Sequence, residues 1–307
     1  MSAKLNGHST GRHVSTTVNY FLETPEKVND AFYLGTVGER RRKHDTAEVT
    51  VEDIRGREGD FSLDVQGFQL VSNVSSEKAF ADDGKIKAEY YPECETLLKT
   101  TTKATRVIIM GHTIRRRDHD VAMEEEKDLP DLHAVGGPTN ARWVHVDQSY
   151  LGAQERLAIY AGSDAQQLSQ TRWAIINIWR AIKPVERDNL AFCDARSVSE
   201  EDLHECVAKF VTRDNERDRD DTKDYANMYT NKKDNHLWGV KRPADAGGHR
   251  WYYASKMTPD EALLLKIFDS RLDGTARRTP HTAFKCEEDH GPTRESLETR
   301  CLVFWET

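Results

Sequence analysis

The sequence predicts a mainly β protein with flanking helices and a double-stranded β-helix core, that is, a cupin-like jelly roll. Two observations predict this class. A β-branched, aromatic run at 174–184 ends at a proline, as a strand does. The last quarter of the chain holds four strand-like runs separated by turn residues, a spacing typical of sandwiches and barrels; they cover 250–257, 261–270, 280–286 and 294–305.

The composition indicates a charged surface around a sizeable core. Of the 307 residues, 31% are charged and 37% hydrophobic, and the net charge is -8. An acidic surface repels phosphate, which disfavours binding to nucleic acid. The sequence contains neither a signal-peptide run nor a stretch long enough to span a membrane. We therefore expect a cytoplasmic monomer or homodimer whose five widely spaced cysteines are buried free thiols.

The N-terminal half is predicted to form early strands and one helical region. Residues 1–13 are expected to be a flexible tail, and residues 14–307 a single jelly-roll domain. Apolar and polar residues alternate in two early segments, and β-branched residues dominate a third, so these are predicted strands: 49–53, 61–71 and 105–114. The spacing of Tyr90, Cys94 and Leu97 predicts a helix over 85–101.

Three further segments separate the remaining predicted strands. Charges, prolines and glycines at 115–140 predict a long loop. Helix-favouring residues at 150–173 predict a helical insertion. Residues 211–248 are expected to form a charged loop, and 211–236 contain almost only charged and amide side chains. Such a segment is most often solvated and mobile, and a lid over the site is the less favoured interpretation.

A metal site is predicted at His145, Asp147 and His281. Residues two apart on a strand point to the same side, so His145 and Asp147 face one ligand. His281 lies in another predicted strand, and a jelly roll brings such strands together at one mouth. Two histidines and one carboxylate on one face of a metal are the ligand set of non-haem Fe(II) oxygenases, which keep open positions for a cosubstrate and dioxygen.

Arg294 and Ser296 are predicted to bind the cosubstrate. They are also two residues apart, and a guanidinium fork with a hydroxyl is suited to a carboxylate. The far carboxylate of 2-oxoglutarate requires a buried cation, because an unpaired buried charge costs several kcal/mol. Arg300 is the alternative anchor, but it lacks the paired serine.

Several blocks of the chain resemble a known family. They include 141–149 (ARWVHVDQS), 177–180 (NIWR), 191–196 (AFCDAR), 249–253 (HRWYY), 280–284 (PHTAF) and 294–298 (RESLE). These blocks are similar to the fungal hydroxylase/desaturase family related to gibberellin desaturase, and the resemblance covers about residues 60–307. It implies dependence on iron and 2-oxoglutarate, a jelly-roll core and a role in secondary metabolism.

The expected function is therefore Fe(II)/2-oxoglutarate-dependent hydroxylation, desaturation or oxidative cyclisation of a small metabolite, with O2 consumed and with stimulation by ascorbate. Two alternatives are a cupin-like metal dioxygenase that does not use 2-oxoglutarate and a non-catalytic small-molecule-binding jelly roll. Arg180, Tyr252 and Tyr253 are candidate substrate contacts because they lie on predicted barrel strands. A structural ion pair for Arg180 and core packing for the tyrosines are equally open, and alternation allows only one tyrosine to face inward.

Overall fold

The computed structural model describes residues 12–210, 234–245 and 248–306. Fourteen strands and six α-helices lie in these ranges. The strands are β1 (His13–Phe21), β2 (Ala31–Tyr33), β3 (His44–Asp53), β4 (Phe68–Ser72), β5 (Arg106–Arg115), β6 (His145–Val146), β7 (Arg172–Ala181), β8 (Leu190–Cys193), β9 (Leu203–Lys209), β10 (Asn235–Val240), β11 (Trp251–Tyr253), β12 (Glu261–Asp269), β13 (His281–Ala283) and β14 (Ser296–Trp305). The α-helices are α1 (Val37–Arg40), α2 (Asp83–Lys85), α3 (Tyr91–Thr102), α4 (His119–Glu125), α5 (Tyr150–Ala161) and α6 (Ala165–Leu168), with a π-helical turn at Ile86–Tyr90 between α2 and α3.

The strands form two sheets. The larger sheet has the order β1-β3-β11-β8-β13-β6-β10-β9-β2, and the smaller has the order β4-β12-β7-β14-β5. The predicted mainly β fold with flanking helices is confirmed. In the part of the chain that the structure describes, no helix is long and apolar enough to cross a membrane.

The central strands β7 and β14 are buried on both faces. Along β7, Ile175 and Trp179 belong to the main core, which also contains residues of the larger sheet. Ile176 and Ile178 point the other way, into a second core that includes Leu98 of α3. Because a helix covers the outer face of the smaller sheet, both faces of β7 are apolar, and this explains its continuous hydrophobic sequence.

A tight turn precedes β4 where the sequence predicts a strand. Only the end of the predicted strand 61–71 is extended, because β4 begins at Phe68. Gly67 has a φ of 91°, which favours glycine. A Cβ at Gly67 would lie 2.3 Å from Thr279 Oγ1. That hydroxyl donates to the Gly67 carbonyl oxygen at 2.6 Å, so the turn is joined to the segment that leads into β13.

The predicted loops and tail also contain regular structure. Helix α4 lies inside the predicted loop 115–140, and Asp118 caps it by accepting from two backbone N–H groups. Strand β10 lies inside the predicted charged loop 211–248, of which 211–233 are outside the described residues. Of the predicted tail, residues 1–11 are also outside them. The predicted helical insertion contains α5 and α6.

Candidate active site

The structure brings the three predicted metal ligands together. His281, the first residue of β13, lies directly opposite His145 of β6. Asp147 follows β6, and its Oδ1 lies 3.4 Å from His145 Nε2 and 3.6 Å from His281 Nε2. One possible ligand atom from each side chain lies within 4.8 Å of the others. These three side chains can therefore hold a single metal ion.

Backbone carbonyls fix the orientation of both imidazoles. His145 Nδ1 lies 2.8 Å from the Trp143 carbonyl oxygen, and His281 Nδ1 lies 3.1 Å from that of Thr279. Since a carbonyl oxygen only accepts, each Nδ1 carries the proton and donates, which leaves each Nε2 lone pair for a metal. Burial lowers the pKa of His145, and the nearby His281 lowers it further. This favours the neutral imidazole, the form that binds metals.

Asp147 is held as a carboxylate with two differently engaged oxygens. Burial raises the pKa of Asp147, but the two imidazoles and the Arg300 guanidinium outweigh this effect and hold the pKa well below its usual range. Oδ1 faces the imidazoles, whereas Oδ2 accepts a hydrogen bond from Asn177 Nδ2 at 2.7 Å. The donor set of two neutral imidazoles and one carboxylate fits Fe(II).

A cavity of about 420 Å³ opens beside the triad. One part of its wall is apolar or aromatic and includes Phe32, Leu34, Met123, Trp143 and Leu237. The Trp143 ring stacks on the His145 imidazole, with ring centroids 4.5 Å apart and planes 21° apart. Another part is polar and includes Arg115, Asn140, Glu298 and Arg300. The cavity lining thus combines an apolar set of side chains, which reaches His145 through Trp143, with a polar set.

Strand β14 contributes Glu298 and Arg300 to the polar side. Arg300 lies opposite Asn177 in β7, and therefore at the level of the triad. Ser296 lies opposite Arg115 in β5. Along β14, Ser296 is four residues from Arg300, which corresponds to about 13 Å at about 3.3 Å per residue. Burial raises the pKa of Glu298, and the neighbouring Asp147 raises it further.

Arg294 contacts a residue of the cavity wall, Asn140. Its side chain is buried, and its Nη2 donates to Asn140 Oδ1 at 2.6 Å. Its Nη1 donates to the backbone oxygen of Asp188, and its guanidinium lies 5.3 Å from the Trp179 ring centroid. Asn140 lines the cavity, whereas Arg294 and Ser296 do not. Burial lowers the pKa of Arg294 to about 9.

The three candidate substrate contacts lie away from this cavity. Arg180 is on the outer face of β7, and its guanidinium donates to the carbonyl oxygens of Asn73 at 2.6 Å and Pro259 at 2.8 Å. Tyr252 packs in an aromatic cluster, and Tyr253 is part of the main core. The structure does not bring these residues to the cavity, and their role in substrate binding stays a prediction.

Sequence reasoning missed several residues of the site. Asn177 is one of only two polar residues in the apolar segment 174–181, which is a signal that could have identified it. Trp143 and Glu298 each lie two residues from a predicted site residue, so strand alternation could have predicted them. The sequence gives no comparable signal for Arg115, because only the pairing of β5 with β14 brings it to the site.

Comparisons with known proteins assign the family. A family model described as an oxidoreductase/YMDC permease-like domain matches residues 18–304. The hydroxylase/desaturase efuI of Hormonema carpetanum is 43% identical over 296 residues, 95% of this chain and 95% of efuI. The alpha-ketoglutarate-dependent dioxygenase phiK of a fungal species is 34% identical over 266 residues, 86% of each chain. The solved structure of the iron and alpha-ketoglutarate-dependent endoperoxidase NvfI matches with a TM-score of 0.73 at 22% identity, over 97% of this chain and 100% of that chain, and supports the jelly-roll fold. The chain therefore belongs to the fungal Fe(II)/2-oxoglutarate-dependent hydroxylase/desaturase family of oxidoreductases.

Proposed function

We propose that His145, Asp147 and His281 bind Fe(II) and that the adjacent cavity takes 2-oxoglutarate and a small secondary metabolite. The reaction is hydroxylation, desaturation or oxidative cyclisation of that metabolite. The observation that carries the proposal is the approach of both Nε2 atoms to Asp147 Oδ1 while both Nδ1 atoms are bound to backbone carbonyls. When bound, the metal and 2-oxoglutarate supply the dioxygen chemistry, and the protein positions the substrate and excludes water.

Arg294 with Ser296 anchors the far carboxylate of 2-oxoglutarate in this proposal. Arg300, the alternative anchor, lies opposite Asn177 and lines the cavity, whereas Arg294 contacts the cavity residue Asn140. Among the described residues, Arg294 Nε has no hydrogen-bond partner, and each of its Nη atoms, which can donate twice, makes one hydrogen bond. The guanidinium therefore retains donors for a carboxylate. Its contact with Asn140 places it one side chain away from the cavity.

The apolar side of the cavity binds the carbon skeleton of the substrate. Phe32, Leu34 and Leu237 lie on this side, and Trp143 extends it to the metal ligand His145. Apolar surface lining a cavity favours a largely uncharged hydrocarbon framework. A C–H group held against Trp143 would lie next to the metal, where the oxidation takes place.

The direct test uses purified protein and 2-oxoglutarate. Without oxygen, adding 2-oxoglutarate to the Fe(II) protein is expected to produce a visible charge-transfer band. With oxygen, succinate should form in an iron-dependent reaction that ascorbate stimulates. Tight metal binding without any 2-oxoglutarate-dependent band would instead favour a cupin-like dioxygenase, and absence of metal binding would favour a non-catalytic binding protein.

We also propose that the protein acts in the cytoplasm as a monomer or homodimer, without nucleic acid or membrane partners. All five cysteines are free, as expected in a reducing compartment. The net charge of -8 supports the absence of a nucleic-acid partner. Sedimentation of the purified protein measures its oligomeric state directly.

A further inference from the structure

We propose that Asn177 is a positioning residue that holds Asp147 as a one-oxygen metal ligand and thereby sets the metal affinity of the site. The inference rests on the proposed function in one respect, namely that Asp147 binds the metal. It assigns a role to a residue outside the triad.

The hydrogen bond from Asn177 separates the roles of the two Asp147 oxygens. Asn177 Nδ2 donates to Oδ2 at 2.7 Å. The other oxygen, Oδ1, is the one that lies 3.4 Å and 3.6 Å from the two imidazole Nε2 atoms. Rotation of the carboxylate would break the bond to Oδ2. Asn177 therefore fixes the orientation of the carboxylate, with one oxygen held by the protein and the other directed at the metal.

The orientation of the Asn177 amide follows from the charge of Asp147. If the amide were flipped, Asn177 Oδ1 would face the carboxylate Oδ2, and two acceptors would meet without a proton between them. A carboxylate that binds a metal is deprotonated. The N–H group must therefore point at Asp147.

The packing of the core does not explain an asparagine at position 177. Its side chain is fully buried, and its own Oδ1 has no hydrogen-bond partner among the described residues. A buried acceptor without a partner destabilises a fold, because the group has lost its hydrogen bonds to water. An aliphatic side chain would avoid this loss, so packing alone does not account for an amide at this position.

The location of Asn177 makes it a rigid support. It lies in the centre of the smaller sheet, where β7 pairs with Leu265 of β12 on one side and Arg300 of β14 on the other. Asp147 directly follows β6, a strand of the larger sheet that has only two residues. Asn235 Nδ2 donates to the Asp147 backbone oxygen at 3.2 Å, whereas Asn177 Nδ2 donates to the carboxylate itself.

The test compares Asn177→Leu, Asn177→Ser and the control Thr299→Val. Leucine has the same branching at Cγ, although it is larger, and it has no donor, whereas serine keeps a shorter donor. Thr299 is a fully buried polar residue on the opposite face of β14, so its substitution changes core polarity without approaching Asp147. The measurement is Mn(II) affinity of the apo-protein by electron paramagnetic resonance, together with the Co(II) ligand-field spectrum.

The expected result is a Kd for Mn(II) about 10–100-fold higher in Asn177→Leu. Asn177→Ser should lie between that variant and the wild type, and Thr299→Val should match the wild type. The Co(II) spectrum should change only in the Asn177 variants. A wild-type Kd and spectrum in folded Asn177→Leu would overturn the proposal. If Asn177→Leu does not fold, Asn177→Ser decides by the same criterion.

Failure of this inference is distinguishable from failure of the proposed function. If Asp147→Ala binds Mn(II) as the wild type does, the metal site itself is wrong. If Asp147→Ala loses binding and the Asn177 variants retain it, the metal site stands and only the positioning role is wrong.

Discussion

At the level of single residues, the site depends on which atom of each side chain is already engaged by the protein. Two backbone carbonyls hold the Nδ1 atoms of His145 and His281, and Asn177 holds Asp147 Oδ2. The three remaining atoms face one another. A metal ion therefore meets ligands whose rotamers are already set, which reduces the ordering needed when it binds.

Replacing Asp147 by Ala should abolish turnover and leave the fold intact. The side chain lies at the cavity, and its loss removes the only carboxylate of the triad. Mn(II) affinity should fall by more than the roughly 10–100-fold typical of losing an outer partner of a ligand. Calorimetric titration with Mn(II) measures this change, and circular dichroism checks the fold. Near-normal turnover with iron would show that the triad is wrongly assigned.

Arg294→Lys should weaken the binding of 2-oxoglutarate and leave metal binding unchanged. Lysine replaces a planar fork with a point charge on a different stem. Losing a buried charge-assisted pair costs on the order of 2–5 kcal/mol, or roughly 30-fold or more in affinity. Ser296→Ala should cost less. The anaerobic charge-transfer band, titrated with 2-oxoglutarate, gives the midpoint.

Arg300→Lys is the matched control for Arg294. Both arginines are buried. Arg294 lies just before β14, whereas Arg300 lies in β14 and lines the cavity at the level of the triad. We expect a smaller shift in the 2-oxoglutarate midpoint for Arg300→Lys than for Arg294→Lys. The reverse order would move the anchor to Arg300.

At the level of elements, the turn before β4 is coupled to the metal site through Thr279. Thr279 Oγ1 donates to the Gly67 carbonyl oxygen, and the Thr279 carbonyl oxygen accepts from His281 Nδ1. Any displacement of Thr279 would therefore move the group that orients a metal ligand. The turn and the metal ligand lie far apart in sequence but share this one residue.

Gly67→Ala should lower both stability and metal affinity. A Cβ there would lie 2.3 Å from Thr279 Oγ1, and the φ of 91° adds strain of about 1–3 kcal/mol. Gly274→Ala is the control, because Gly274 has a φ of 94° and no heavy atom within 4 Å of its Cβ position. Both variants should have a lower Tm, but only Gly67→Ala should bind Mn(II) more weakly. Equal Mn(II) affinity in the two variants would contradict the coupling through Thr279.

The sequence predicted some elements better than others for physical reasons. The strands of the last quarter are short runs bounded by turn residues, and this spacing favours strands even for the largely apolar run at 263–268. The segment 61–67 alternates apolar and polar residues but forms a turn. Phe61 enters the main core and Leu63 enters the second core, so the two side chains are buried without strand pairing. Strand β10 was missed because a charged segment precedes it. The triad could be predicted because its residue types are specific, whereas Asn177 and Arg115 depend on pairing between distant strands.

At the level of the whole molecule, we propose that residues 14–307 form a single domain. The main core contains Val14 of β1 and Phe304 of β14 together with strands of both sheets, which supports the proposal. A chain of this kind should unfold in a single transition by differential scanning calorimetry. Two resolved transitions would contradict it.

Metal binding should stabilise the folded chain, because the ligands come together only in the native state. Mn(II) at about 100 times its Kd should contribute about 2.7 kcal/mol, which raises Tm by a few degrees. Asp147→Ala should show no comparable shift. An equal shift in that variant would indicate that Mn(II) binds elsewhere.

Trp143 serves the site through two separate parts of one residue. Its backbone carbonyl holds His145, whereas its side chain forms the wall on which the substrate is proposed to rest. The carbonyl is retained whatever side chain is present at this position. Protein engineering could therefore reshape the wall at 143 to accept a different carbon skeleton while the hydrogen bond that orients the metal ligand is retained.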